Sequence, residues 1–190
     1  MKKKMMIAIF ACIAVIQVLT PLSMIYKREA TLNHGRKFKF DTAPVDPYDA
    51  FRGRYVALRI AAEREPLKVE NGQDLLGRNV HVLLDEGENG FAKLAGIALD
   101  SPAGDNYIDC RVRRAYDDKV YVDLPFDRYY MDEYEAPDAE RAYRRSSGDT
   151  DRKAYVTVRV RSGFAVLEEL YIQEMPVREY LQKGAEQKGR

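Results

Sequence analysis

The sequence holds no tryptophan, two histidines and two cysteines in 190 residues, and each scarcity removes a class of chemistry. Cys12 and Cys110 are too few for a disulfide framework, and Cys12 lies inside an apolar run, so no bridge between them is expected. With Arg111 as its sole basic sequence neighbour, Cys110 lacks the electropositive setting of a reactive thiol and reads as a small buried residue. His34 and His81 are isolated, and without a cysteine pair no zinc site is expected. Asp41, Asp46 and Asp49 lie close in the chain but lack a glycine-centred loop, so they read as solvated turn carboxylates rather than calcium ligands. Neither a glycine-rich phosphate loop nor a Ser-His-Asp set is present, and no metal or cofactor is expected. A charge bias is missing too. With 31 basic and 30 acidic residues the chain offers no field for nucleic acid, and none is expected as a partner. Strands do not alternate with helices in a βαβ rhythm, and no solenoid-length repeat occurs.

What is present is enough apolar material for a core, 46% of residues, and thirteen tyrosines. The length suits one domain and a small addition. That addition is N-terminal. Met1-Lys2-Lys3-Lys4 precedes an apolar run from Met5 to Ile25, interrupted by Gln17, Thr20, Pro21 and Ser23 and stopped by Lys27 and Arg28. As a helix, 21 residues span about 30 Å, the thickness of a hydrocarbon core. Two readings compete, a cleaved signal peptide and an uncleaved anchor. The run is long for a signal peptide, and bulky Met24, Ile25 and Tyr26 stand where a peptidase needs small residues, which favours the anchor. The three leading lysines favour a cytoplasmic N-terminus, an asymmetry that Lys27 and Arg28 on the other flank reduce, with the rest of the chain on the other side of the membrane. The expected organisation is a basic tip (1–4), a transmembrane anchor (5–25), a tether (26–37) ending near the turn signal Asn33-His34-Gly35, an extracytoplasmic domain (38–180) and a loosely held polar tail (181–190).

Within that domain the periodicity is β. Phe38 and Phe40 alternate with Lys37, Lys39 and Asp41; Val80, Val82 and Leu84 lead through the turn 85–90 to a strand over 91–99. Tyr107 to Val112 turns near Asp117-Asp118 and returns at Val120 to Leu124. Ala154 to Arg161 turns at Ser162-Gly163 and returns over Phe164 to Ile172. Residues 63–79 read as a surface excursion, and Pro137 to Arg145 as a short helix with proline in its first turn. The predicted fold is mainly β: an antiparallel barrel or sandwich of seven to eight strands with one short helix, behind a single transmembrane helix.

The most distinctive stretch runs from Val45-Asp46-Pro47 through Arg52-Gly53-Arg54-Tyr55 to Leu58 and Ile60. It resembles the signature of a membrane-anchored family named for Gly-Asp-Tyr-x-x-Leu-x-Tyr. Val45-Asp46-Pro47, Arg52-Gly53, Tyr55 and Leu58 match; Arg54 replaces the signature aspartate and Ile60 its last tyrosine. A weaker likeness extends to the valine-rich hairpin 154–172. The resemblance implies a bacterial envelope setting and this topology, and no reaction.

Read structurally, Gly53 allows a sharp turn, Asp46 accepts backbone hydrogen bonds, and Tyr55 and Leu58 pack on opposite strand faces. Read functionally, Arg52, Arg54 and Tyr55 line a partner-binding edge. A second candidate is Leu124 to Tyr134, where Phe126, Arg128, Tyr129 and Tyr130 combine the residue types of interface anchors; its structural alternative is a loop sealing the barrel mouth. Ser23-Met24 followed by Tyr107-Ile108-Asp109-Cys110 also resembles type I signal peptidases. The lysine base this implies is absent, and Arg111 stays protonated and cannot accept a serine proton. The expectation is a non-enzymatic, membrane-anchored β domain that binds a membrane or envelope protein. The alternative is a ligand- or glycan-binding module whose tyrosines stack on the ligand.

Overall fold

The computed structural model describes residues 2–43, 55–147 and 154–188. An α-helix, α1 (Lys2–His34), leads into an antiparallel β domain that forms one nearly closed, barrel-like wall. The expected tether is helical. Lys27, Arg28, Glu29, Ala30 and Leu32 are all good helix formers, so the helix of the apolar run has no reason to stop at Ile25. It stops at Gly35, whose N–H donates to Thr31 O at 2.8 Å. A Cβ at Gly35 would lie 2.5 Å from Thr31 O and 2.9 Å from Val160 O, so only glycine lets helix and sheet meet this closely.

The first strand, β1 (Arg36–Asp41), buries Phe38 and Phe40 and turns Lys37 and Lys39 outward, the period-two pattern read from the sequence. It pairs with β9 (Ala154–Arg161), which pairs with β10 (Phe164–Ile172) and then the two-residue β11 (Met175–Pro176). The β9–β10 turn has positive φ at Ser162 (47°) and Gly163 (78°), the primed geometry that matches the twist of hairpin strands. The second sheet orders β3 (Leu67–Lys68), β7 (Lys119–Asp123), β6 (Tyr107–Tyr116), β4 (Asn79–Glu86) and β5 (Ala92–Ala98). A third, two-stranded ribbon joins β2 (Tyr55–Ala57) to β8 (Arg128–Tyr130).

Bridges stitch the pieces together: Thr42 with Ile60 links the end of β1 to the ribbon strand, and Ile108 with Gly163 links β6 to the β9–β10 tip. Inside, Phe40, Ile60, Ile108, Val156, Leu170 and Ile172 are wholly enclosed. Each of the three expected hairpins is present. The strands beyond the expected seven or eight are two- and three-residue segments, too short to show a period in sequence. In the 63–79 region lie two 3-10 turns, Ala61–Arg64 and Gly72–Leu75, with β3 between them.

The expected helix is α2 (Ala136–Ser147), with Ala136, Ala139, Ala142, Tyr143 and Ser146 on its buried face. Tyr143 is fully enclosed and donates its hydroxyl proton to Ala43 O at 3.3 Å, tying α2 to the end of β1. The polar tail is instead a helix, α3 (Val177–Lys188). Val177 is buried and Tyr180 and Leu181 pack against the core at the i, i+3, i+4 spacing of one helical face, and Lys183 pairs with Glu179 at 2.8 Å.

Candidate functional site

The two stretches singled out in the sequence, 64 positions apart or more, are hydrogen-bonded neighbours. In the ribbon Tyr55 faces Tyr130, Val56 faces Tyr129 and Ala57 faces Arg128, and just beyond it Leu58 N–H donates to Asp127 O at 2.8 Å. Alternation then sorts the side chains. Val56, Leu58 and Tyr129 point into the core, while Arg128 and Tyr130 point out and Tyr55 is half-buried on the same outer face.

On that outer face the Arg128 guanidinium lies 5.1 Å from the Tyr55 ring centroid, and the Tyr55 and Tyr130 centroids are 5.7 Å apart at 60°. These are attractive cation–π and tilted aromatic contacts, and they hold three long side chains in place. Tyr130 is 62% exposed. Asp127 approaches Arg128 at 3.6 Å, and hydrogen bonding to Tyr130, followed by the Asp127 charge, pushes the guanidinium pKa further up. The guanidinium stays protonated, lies against the Asp127 carboxylate and borders an exposed aromatic surface.

Two candidates do not belong to it. Tyr129 is only 7% exposed and donates its hydroxyl proton to Glu169 Oε1 at 2.5 Å. Burial, reinforced by that hydrogen bond, pushes its pKa well up. Phe126 is buried with its ring 5.1 Å from Phe40. Both hold the ribbon on the barrel, as the structural reading of that segment proposed for its rings. Leu58, likewise buried, is a core residue. Asp46, Arg52, Gly53 and Arg54 lie outside the described residues. Glu169, the partner of Tyr129, had no obvious functional signal in sequence. The Glu168-Glu169 pair that interrupts the apolar pattern of the return strand marks the bulge between Leu167 and Glu169 that positions it.

The other residues considered in the sequence have local contacts of their own. Ser23 Oγ donates to Thr20 O within α1 at 2.7 Å. Cys110 is buried, and loss of solvation, then the Asp109 charge, pushes its thiol up to about 12, where it carries almost no thiolate. The Asp41 carboxylate accepts the Thr42 N–H at 2.9 Å, and His81 Nδ1 lies 2.7 Å from Asp109 Oδ1.

A family model described as GDYXXLXY protein matches residues 17–170. The chain belongs to the GDYXXLXY family. The match runs from the middle of α1 to β10 and includes both ribbon strands. Its signature strand is thus one half of the ribbon, and the divergent Ile60 is a core position, 1% exposed. No curated protein and no solved structure matches the chain.

Proposed function

We propose that this GDYXXLXY protein is a non-enzymatic, membrane-anchored envelope protein whose β domain, on the outer side of the membrane, binds a protein partner through the β2–β8 ribbon. What carries the reading is the preorganised set of Arg128 over Tyr55 beside Tyr130. Arginine and tyrosine dominate interface hot spots because they bury much area at small entropic cost, and the mutual packing here lowers that cost further. The anchor is α1, whose apolar stretch is long enough to cross a membrane and makes no contact with the domain. Its leading lysines support the orientation.

The test is site-specific photo-crosslinking in membranes, with the crosslinker at Tyr130 and, as a control, at Leu76, exposed in the second-sheet region. A protein adduct formed from position 130 and not from 76, and reduced at least about tenfold by Arg128→Ala, is the expected result. Equal adducts from both positions, or no effect of Arg128→Ala, would refute it. Capture of a glycan in place of a protein would favour the ligand-binding alternative.

A further inference from the structure

We propose that the β9–β10 tip and the end of α1 form a second binding surface, built for the headgroups of anionic phospholipids in the membrane that holds the anchor. The inference rests on α1 spanning a membrane, and otherwise on geometry independent of the ribbon. The helix passes from its apolar stretch into the domain without a break, and only Gly35 separates it from β1. A flexible linker would leave the domain free to drift from the bilayer; this connection does not.

The height of the tip follows from the contacts. Lys27 stands two residues beyond the end of the apolar run, about 3 Å along the axis. Its Nζ lies 4.4 Å from the Phe164 ring centroid. One helical turn further on, Arg161 Nη1 donates to Ala30 O at 3.4 Å, and Thr31 is buried. The hairpin tip therefore runs alongside the segment of α1 that leaves the hydrocarbon, at the level of the headgroups. Tyr26, 75% exposed, marks the same level, since tyrosine concentrates at membrane interfaces.

The charge at that level suits anionic lipid. Lys27, Arg28 and Arg161 have no carboxylate partner among the described residues, although most surface cations of the domain sheets nearby do: Arg36 pairs with Glu86, Lys37 and Arg159 with Glu168. The acids of the tip keep their charge but lie on its β6 side, whereas α1 packs on β9 and β10. Asp105 Oδ1 accepts the Ser162 N–H at 2.8 Å, and Asp109 faces His81. Glu29 lies about 200° around the helix from Lys27, away from the Phe164 contact. Lys27 and Arg28 on the helix and Arg161 one turn further on, none with a carboxylate partner among the described residues, form a small basic face beside the point where α1 leaves its apolar stretch.

The test uses the full chain in phosphatidylcholine vesicles with and without phosphatidylglycerol. A fluorophore is placed at Ser162→Cys, or at Tyr134→Cys as an exposed control, each with Cys12→Ser, and quenching by headgroup nitroxides is read. Nitroxide-labelled phosphatidylglycerol should quench position 162 about fivefold more than labelled phosphatidylcholine for each cation engaged. That preference should fall in high salt and in Lys27→Gln/Arg28→Gln, which leaves the Arg161 hydrogen bond intact. Equal quenching by the two lipids, or quenching at 162 no greater than at 134, overturns the proposal. A separate arm labels the native Cys12, which must be quenched by acyl-chain nitroxides. Its failure would overturn the spanning of α1 and the proposal with it, whereas quenching at Cys12 without lipid preference at 162 overturns the headgroup surface alone.

Discussion

Single residues decide which tyrosines of this protein lie open to solvent. Tyr129 and Tyr130 are adjacent, yet one is sealed in the core and bonded to Glu169 while the other lies open to solvent. Tyr129→Phe should cost about 1–2 kcal/mol, because Glu169 keeps its bond from Leu170 N–H but loses the stronger one from the phenol. Thermal unfolding should show that loss while crosslinking from position 130 remains, the opposite of the result expected for Arg128→Ala. Glu63 and Glu168 give the pH dependence. Burial holds the Glu63 carboxyl above its ordinary 4.5 even though Oε1 accepts Leu124 N–H at 2.8 Å. The fold therefore disfavours its ionised form, and that penalty is complete above the raised pKa and relieved as pH falls toward 4.5. Glu63→Gln keeps an acceptor for Leu124 and should leave the domain at least as stable at pH 7, with the advantage vanishing near pH 4.5. A loss of stability at pH 7 would count against this. Glu168 behaves in the opposite sense. Although burial alone would raise its pKa, Lys37 and Arg159 hold it below 4.5, so its contribution is present at neutral pH and is lost as pH falls through that lowered value.

At the scale of elements, the β9–β10 hairpin has two duties. It supplies Val156, Val158 and Val160 to the core, and its tip bridges to β6, where Asp109 N–H donates to Gly163 O at 2.9 Å. Gly163 serves both turn and bridge: its φ is 78°, and a Cβ would lie 2.5 Å from Asp109 Oδ1. Gly163→Ala should destabilise the domain by at least about 1–2 kcal/mol, through left-handed strain and displacement of the Asp109 carboxylate. Gly90→Ala is the comparison: its φ is 76° but nothing lies within 4 Å of the added methyl, so it should cost strain alone. Equal urea midpoints for the two variants would show that the close approach to Asp109 contributes nothing. The helices follow the same logic of faces. α2 and α3 exist because Tyr143, Val177, Tyr180 and Leu181 give them apolar stripes to lay on the barrel.

For the whole molecule, the apolar stretch of α1, long enough to cross a membrane, and the β domain share one helix but not one core. Among the described residues of α1, Ala30, Thr31 and Leu32 are buried or half-buried beside the sheets, and the apolar stretch is exposed apart from half-buried Ala14. A chain beginning at Lys27 should therefore fold as a soluble β domain with a Tm within a few degrees of the full-length value. A molten near-UV circular dichroism spectrum for that chain would show that the anchor is needed for the fold.

Where periodicity was local, the sequence was enough. Tyr55 and Leu58 fall on opposite faces because strand side chains alternate, the turn at Ser162-Gly163 follows from residues that tolerate positive φ, and α1 follows from an apolar run as thick as a bilayer. The order of the strands was not legible. Pairing β1 with β9, and β2 with β8, joins segments over 70 residues apart, and only the collective burial of Phe40, Ile60 and Val156 selects those partners. Because the register of β2 against β8 is tertiary, so is the surface it makes. The signature strand and the tyrosine-rich segment were each visible alone, but only folding placed Arg128 over Tyr55, turned Tyr130 outward and enclosed Tyr129. The continuation of α1 to His34 is a tertiary result in part as well: its polar last turns are held as helix by the docking of Thr31, Lys27 and Ala30 on the β9–β10 hairpin.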